Sequence, residues 1–350
     1  LVGSSPFNED AFALKMTEAA PERAAAGTKE VNVQMEHRAA RAGSYASGRT
    51  RASFSRMKRF WFLYALILPV LVYYGLFRYY PMLVQITLAF KEFSLLGGIW
   101  NSEWVGWANF SYVFSKPEFY QVLTNTVAIS LLRLAFGFIP PILLAILLYD
   151  LHSAALRRVS QTVLYIPHFF SWVVMYGLVY ALFSNSGLVN QLLDRMGGLA
   201  QNFLLEPAWF RPLLIGSAIW KEIGWGTIIY LAGMTMIDSS LYDAAKMDGA
   251  GPLKRIRHVT LPGLRSVMIF LFTLSLGGVL YAGGEQILLF YNPATYGVGD
   301  VIDTYVYRQG LNSLQYSMAT AVSLFQSGIG LVLILVSNAI SKKTTGTGIW

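Results

Sequence analysis

The chain has no cysteine and only four histidines among 350 residues. Disulfides, thiol nucleophiles and Cys-ligated zinc or iron–sulfur centres are therefore excluded, and the scattered histidines offer no metal-ligand spacing. Charge is also scarce. Asp, Glu, Lys and Arg make up 13% of the sequence, against about 25% in an ordinary soluble domain. No G-x-x-x-x-G-K-[ST] run occurs, so the chain has no phosphate loop of its own, and any ATP must be hydrolysed elsewhere. What the sequence has instead is apolar surface: 55% hydrophobic residues and a mean hydropathy of +0.47. The bilayer is its solvent. The net charge of +8 does not point to nucleic acid, because Lys and Arg concentrate in the amino-terminal segment and in short connections between apolar runs.

Residues 1 to 55 are rich in Ala, Gly, Ser, Arg and Glu without apolar periodicity, and are expected to form a disordered basic cytoplasmic tail. No apolar core followed by a small-residue cleavage site is present there, so a cleaved secretory signal is not expected. The basic stretch Phe54 to Arg59 suits an anionic leaflet. Residues 56 to 350 form the predicted membrane domain. Six apolar segments lie near 60 to 80, 122 to 149, 162 to 183, 212 to 236, 266 to 289 and 317 to 340, each close to the roughly 20 residues a spanning helix needs. Arg56, Lys58 and Arg59 precede the first. Arg157 and Arg158 follow the second, Lys246, Lys254, Arg255, Arg257 and Arg265 follow the fourth, and Lys342 and Lys343 follow the sixth. With both termini cytoplasmic, all four groups fall inside, and the remaining loops carry Trp100, Trp104, Trp107 and Trp209 at the outer interface.

The polar insert between segments four and five, residues 238 to 265, reads as a helix–turn–helix. Ser240 and Asp243 have capping spacing, Gly249 can stop the helix, and Pro252 suits a second helix with Leu253, Ile256 and Val259 inward. The insert resembles the EAA loop of bacterial ATP-binding-cassette importer permeases, E-A-A-x3-G-x9-I-x-L-P. Here it runs Asp243-Ala244-Ala245, Gly249, then Val259-Thr260-Leu261-Pro262, with Asp for Glu and Val for Ile. Further stretches resemble the carbohydrate importers, in particular those for complex oligosaccharides and polysaccharide fragments. These are Ala89 to Phe93, Trp104 to Phe110, Asn125-Thr126, Asp300 to Arg308, Lys342-Lys343 and Gly348 to Trp350.

The resemblance implies an all-α, six-span type I importer permease with a MetI-like fold. It implies a second related permease, two ATPase subunits that bind ATP and Mg, and an extracytoplasmic solute-binding protein that delivers oligosaccharide. It also implies that Asp243, Ala244, Ala245, Gly249, Leu261 and Pro262 couple to the ATPases, with alternating access following by rigid-body motion. The chain itself would be no enzyme and would have no catalytic residue. A permease for an amino acid, phosphate or metal would share the hairpin. A membrane-embedded transferase would need convergent acidic or His groups at one membrane face, and these are not evident.

For the substrate path, Arg133 lies inside the second segment, where a cation faces a cavity or a structural partner. Lys221 and Glu222 in the fourth segment are candidates for interhelical pairs. In the fifth, Gly277-Gly278 and Gly283-Gly284 flank Tyr281 and precede Glu285 and Gln286. Interrupted helices often hold transporter sites, so Tyr281, Glu285, Gln286 and Tyr230 are candidate lining residues, while close helix packing explains the glycines equally well. Arg133 and Lys221 favour an acidic, uronate-type sugar over a neutral one. Pro140-Pro141 and Pro167 mark expected kinks. Asp300, Asp303 and Arg308 read either as contacts for the binding protein or as a solvated charged loop.

Overall fold

A computed structural model describes residues 60–346. The predicted tail, Arg56 to Arg59 and Gly348 to Trp350 lie outside the described residues. The chain divides after Tyr80 into two units. The described part of the first is helix α1, Trp61–Tyr74, continued by the π-turn Gly75–Tyr79; it contains Pro69 and no buried residue.

In the second unit, α2 (Tyr80–Ala89) leads to a two-stranded ribbon, β1 (Lys91–Glu92) against β2 (Glu103–Trp104), antiparallel with Lys91 opposite Trp104. Two of the sequence motifs meet here. Phe90 stacks on Trp104 at 5.7 Å, and Asn109 donates to the carbonyls of Ala89 and Lys91 at 2.9 and 3.0 Å. Lys91 turns its ammonium onto the carbonyls of Ile99 and Trp100. Then follow α3 (Ala108–Phe114) and α4 (Pro117–Tyr149), which runs through Pro140 and Pro141 as one helix.

The third apolar segment is not one helix. α5 (Ala154–Tyr165) gives way to a 3-10 turn, Ile166–Phe169, before α6 (Trp172–Phe183) and α7 (Leu188–Arg195). Pro167 is the cause, since it cannot donate its backbone hydrogen bond, and Ser171 caps the restart by accepting from the Val174 N–H. The fourth segment is α8 (Pro207–Thr235). The fifth also breaks: α10 (Leu261–Gly277) stops, and α11 (Gly284–Phe290) restarts after Gly283, which has φ +85°. α12 (Ile302–Tyr307) and α13 (Tyr316–Thr345) complete the chain.

Among the described residues five helices are long and apolar enough to cross a membrane: Trp61–Ala89, Pro117–Tyr149, Trp172–Arg195, Pro252–Gly277 and Tyr316–Lys343. α8 is as long, but Lys221 and Glu222 interrupt its apolar run.

In lipid, helices associate through close packing and interhelical hydrogen bonds. The small residues of α8 supply that closeness. A Cβ on Gly224 would overlap the Leu164 carbonyl, one on Gly226 would touch Pro141, and one on Gly233 would press on Leu264. Thr227 donates to the Pro141 and Ile223 carbonyls. The α4–α8–α10 core contains Ile142, Ala145, Ile146, Tyr230, Met234 and Leu264.

The insert between α8 and α10 holds α9, Ser239–Met247. Its N-cap is Asp238 rather than the expected Ser240: the carboxylate accepts from the Ser240 N–H at 2.9 Å. Asp243 instead pairs with Lys246 at 3.0 Å. Gly249 follows at φ +71°. The second helix, from Pro252, runs through a π-turn, Ile256–Thr260, directly into α10. Ile256 packs on the α4–α8–α10 core as expected, whereas Leu253 is 81% exposed. Leu253 lies in the first turn, before the helix reaches the bundle.

Candidate functional site

Where α4, α8 and the broken fifth segment meet, they enclose a cavity of about 370 Å³. Most of its wall is apolar, with Ser130, Arg133, Glu222, Tyr230, Ser275 and Tyr281 as polar points. Three of the five predicted path residues, Arg133, Tyr230 and Tyr281, come together here. The other two do not line it. Gln286 is fully buried behind Arg133, and Glu285, on the opposite side of the first turn of α11, is exposed.

The break after Gly277 creates the site. Gly283 adopts a left-handed conformation, and a side chain there would collide with the Arg133 guanidinium. Arg133 thus lies against bare backbone, and its Nη2 donates to Gln286 Oε1. The Gln286 amide nitrogen donates to the Leu214 carbonyl at 2.8 Å and to Ser217 Oγ at 2.9 Å. The arginine is therefore held from α8 through α11. Its Nε is buried without a hydrogen-bond partner, as is Ser130 Oγ one turn earlier. Among the described residues Arg133 forms no ion pair.

The backbone around the break is held from the far side by Asp303. Its carboxylate receives the Gly284 and Ala282 N–H groups and the Gln326 side chain at 3.0 Å. Burial raises its pKa above the ordinary carboxylate value, and those hydrogen bonds partly oppose the rise. Gln326 also donates to the Leu280 carbonyl. Asp303 is thus a structural group rather than a solvated loop charge. The same is true of Asp300, which is buried and holds Arg308 through contacts of 2.6 and 3.0 Å, with Glu118 at 3.5 Å.

Lys221 is an interhelical tie. Its ammonium donates to the His168 and Phe170 carbonyls at 2.6 and 2.8 Å, which the 3-10 turn leaves unbonded. Glu222 bonds His168 Nδ1 at 2.9 Å and lines the cavity. Both residues thus make the interhelical contacts expected of them, but adjacent positions on a helix point in different directions, and only the fold shows that Glu222 also reaches the cavity.

On the hairpin between α8 and α10, Leu241, Ala244, Met247 and Leu253 are exposed, whereas Tyr242 turns inward to Thr260 Oγ1 at 3.0 Å. Burial raises the Tyr242 phenol above its usual value.

A family model described as "binding-protein-dependent transport system inner membrane component" matches residues 142–345. The chain belongs to this family. The permease is 44% identical over 290 residues to the polygalacturonan/rhamnogalacturonan transport system permease protein YteP of Bacillus subtilis (strain 168), which spans 83% of this chain and 90% of that relative. It is 40% identical over 305 residues to the protein LplB of the same organism, covering 87% and 96% of the two chains. A chain from the crystal structure of a bacterial alginate ABC transporter, in complex with an alginate pentasaccharide-bound periplasmic protein, superposes with a TM-score of 0.78. That chain is 39% identical to the permease, and the match covers 84% of this chain and 99% of that one. The permease is thus an inner-membrane component of an ATP-binding-cassette importer in the oligosaccharide branch of the carbohydrate type, as its motifs imply.

Proposed function

We propose that this permease moves acidic, uronate-type oligosaccharides, received from a solute-binding protein, along a path that includes the Arg133 cavity. Arg133 carries the reading. It lines the cavity, is fixed by Gln286 and forms no ion pair among the described residues. A carboxylate that leaves water gains from such a cation, which has Asp303 and Glu222 in its surroundings but is in direct contact with neither among the described residues. Tyr281, which is exposed, adds aromatic surface suited to a sugar ring, and Tyr230 backs the cavity wall from the buried core. A polygalacturonan/rhamnogalacturonan permease and a transporter described as importing the acidic polysaccharide alginate are among the similar proteins, which supports the same cargo class.

The working assembly in this reading has a second related permease and two ATPase subunits that bind ATP and Mg. α8 is the sixth span, its two charged residues held by the 3-10 turn, and both termini are cytoplasmic. Asp243, Ala244, Ala245 and Gly249, with Leu261 and Pro262 at the return, form the ATPase contact. The exposed Leu241, Ala244, Met247 and Leu253 support it, because an apolar knob on the water side of a membrane protein calls for a partner.

The test is the intact complex in lipid, assayed for ATPase activity and uptake with its binding protein and a panel of neutral and acidic oligosaccharides. Acidic oligomers should stimulate both, and Arg133→Gln should weaken their uptake about tenfold or more. No stimulation by any sugar would overturn the reading. Equal uptake of neutral and acidic oligomers, or unchanged uptake in Arg133→Gln, would remove its acidic part.

A further inference from the structure

The cavity holds a second charged group that the reading above does not use. Glu222 is half exposed toward it, at 49%. Its Oε2 is bonded to His168 Nδ1 at 2.9 Å. The other oxygen, Oε1, has Lys221 Nζ at 3.9 Å, which is beyond hydrogen-bond distance. Lys221 does not move closer, because it is committed to two carbonyls and lies over the Trp172 ring at 5.6 Å. Oε1 thus has no hydrogen bond among the described residues.

The remaining contacts anchor the carboxylate through its other oxygen. His168 sits in the 3-10 turn, its backbone carbonyl bonded by Lys221 and its ring stacked on Trp225 at 4.4 Å with 4° between the planes. The imidazole would lose the stack by swinging away, so the carboxylate is anchored through Oε2. A half-exposed carboxylate at the cavity with one oxygen free is placed to accept a hydrogen bond from a ligand. Arg133 lines the same cavity and is the complementary group, a cation. One ring of a uronic acid carries both matching functions, a carboxylate and vicinal hydroxyls.

We propose that Glu222 is a specificity-determining residue that accepts hydrogen bonds from sugar ring hydroxyls, with His168 as its positioning residue. The inference rests on the oligosaccharide reading above and extends it. Arg133 selects the acidic group, and Glu222 recognises the hydroxyls and repels a second carboxylate at that side. The cavity then favours a sugar unit with one acid in one orientation over a simple polyanion.

The test uses the complete complex with its binding protein in lipid nanodiscs, with a galacturonate trisaccharide and its singly deoxygenated analogues as probes. In the unmodified complex, removing one particular hydroxyl should raise KM about tenfold, the loss expected for a hydrogen bond to a charged group. In Glu222→Ala the same removal should matter by less than about twofold, because the partner is already gone. The near-isosteric Glu222→Gln, checked for intact assembly by co-elution, should fall between the two. His168→Phe keeps the stack and releases the carboxylate, and it should raise KM with kcat little changed. Deoxygenation costs that are the same with and without Glu222 would overturn the proposal while leaving the transport reading intact. Uptake that requires a monovalent cation, with the requirement lost in Glu222→Ala, would assign the oxygen to an ion and also overturn it. If no uronate stimulates the unmodified complex, both readings fall.

Discussion

Gln286 accepts a hydrogen bond from Arg133 and passes the restraint on to α8, where its amide holds the Leu214 carbonyl and Ser217. A residue with the rotamer freedom of arginine is thereby fixed before any ligand arrives. Pre-organisation of this kind lowers the cost of binding.

Gln286→Leu removes the acceptor from a charged donor and the donor from two acceptors, all in a buried place. The loss should be about 3 kcal/mol, seen as a lower unfolding temperature of the complex in detergent, together with lost uptake. Gln286→Glu separates structure from function. It gives Arg133 an ion pair but loses the donor to the Leu214 carbonyl and Ser217, so assembly is checked by co-elution, and in the assembled complex uptake of acidic oligosaccharides should drop about tenfold because the cation is already matched. Unchanged acidic uptake in Gln286→Glu would contradict the role given to Arg133.

Gly249 adopts φ +71° with open space where a side chain would stand. A substitution there is strained by the backbone and not by crowding. Gly249→Ala should cost about 1–2 kcal/mol of local hairpin stability, and Gly249→Asn less, since Asn tolerates the left-handed region. Gly249→Trp should additionally block the exposed face, leaving ATPase activity that no longer drives uptake. Both rates measured in the same proteoliposomes decide it, and a normal ratio in Gly249→Trp would count against the coupling role.

Asp238 caps α9, and the Ser240 N–H holds its pKa below the ordinary carboxylate value. A lowered folded pKa means that the cap contributes fully above the ordinary range and is lost as pH falls through the lowered value. Amide exchange at the start of α9, corrected for intrinsic rates, should therefore rise on acidification. In Asp238→Ala it should be fast at every pH. Asp238→Asn, an equally good cap with no proton to gain, should stay slow throughout. An unmodified chain with no pH effect there would remove the cap from the account.

Composition, charge placement and motif spacing are local or additive properties, and they carry the family, the membrane class and the positions of the long helices. The order Asp243-Ala244-Ala245, Gly249, Leu261-Pro262 is likewise readable without coordinates, because a hairpin's register depends on neighbours in sequence. The breaks at Pro167 and after Gly277 are only half legible. A proline or a glycine pair shows where a helix can stop, but whether it does depends on who takes up the freed backbone groups. Here Lys221 takes the carbonyls of the first break, and Asp303 and Gln326 take the groups of the second. Those partners lie far away in the chain. For the same reason tertiary structure alone decided that Gln286 supports Arg133 instead of lining the cavity, that Glu285 is exposed and outside it, and that Glu222 rather than Lys221 reaches it. Which way a side chain turns is set by the packing of α4, α8 and α11 around one another, and no periodicity within a single segment encodes it.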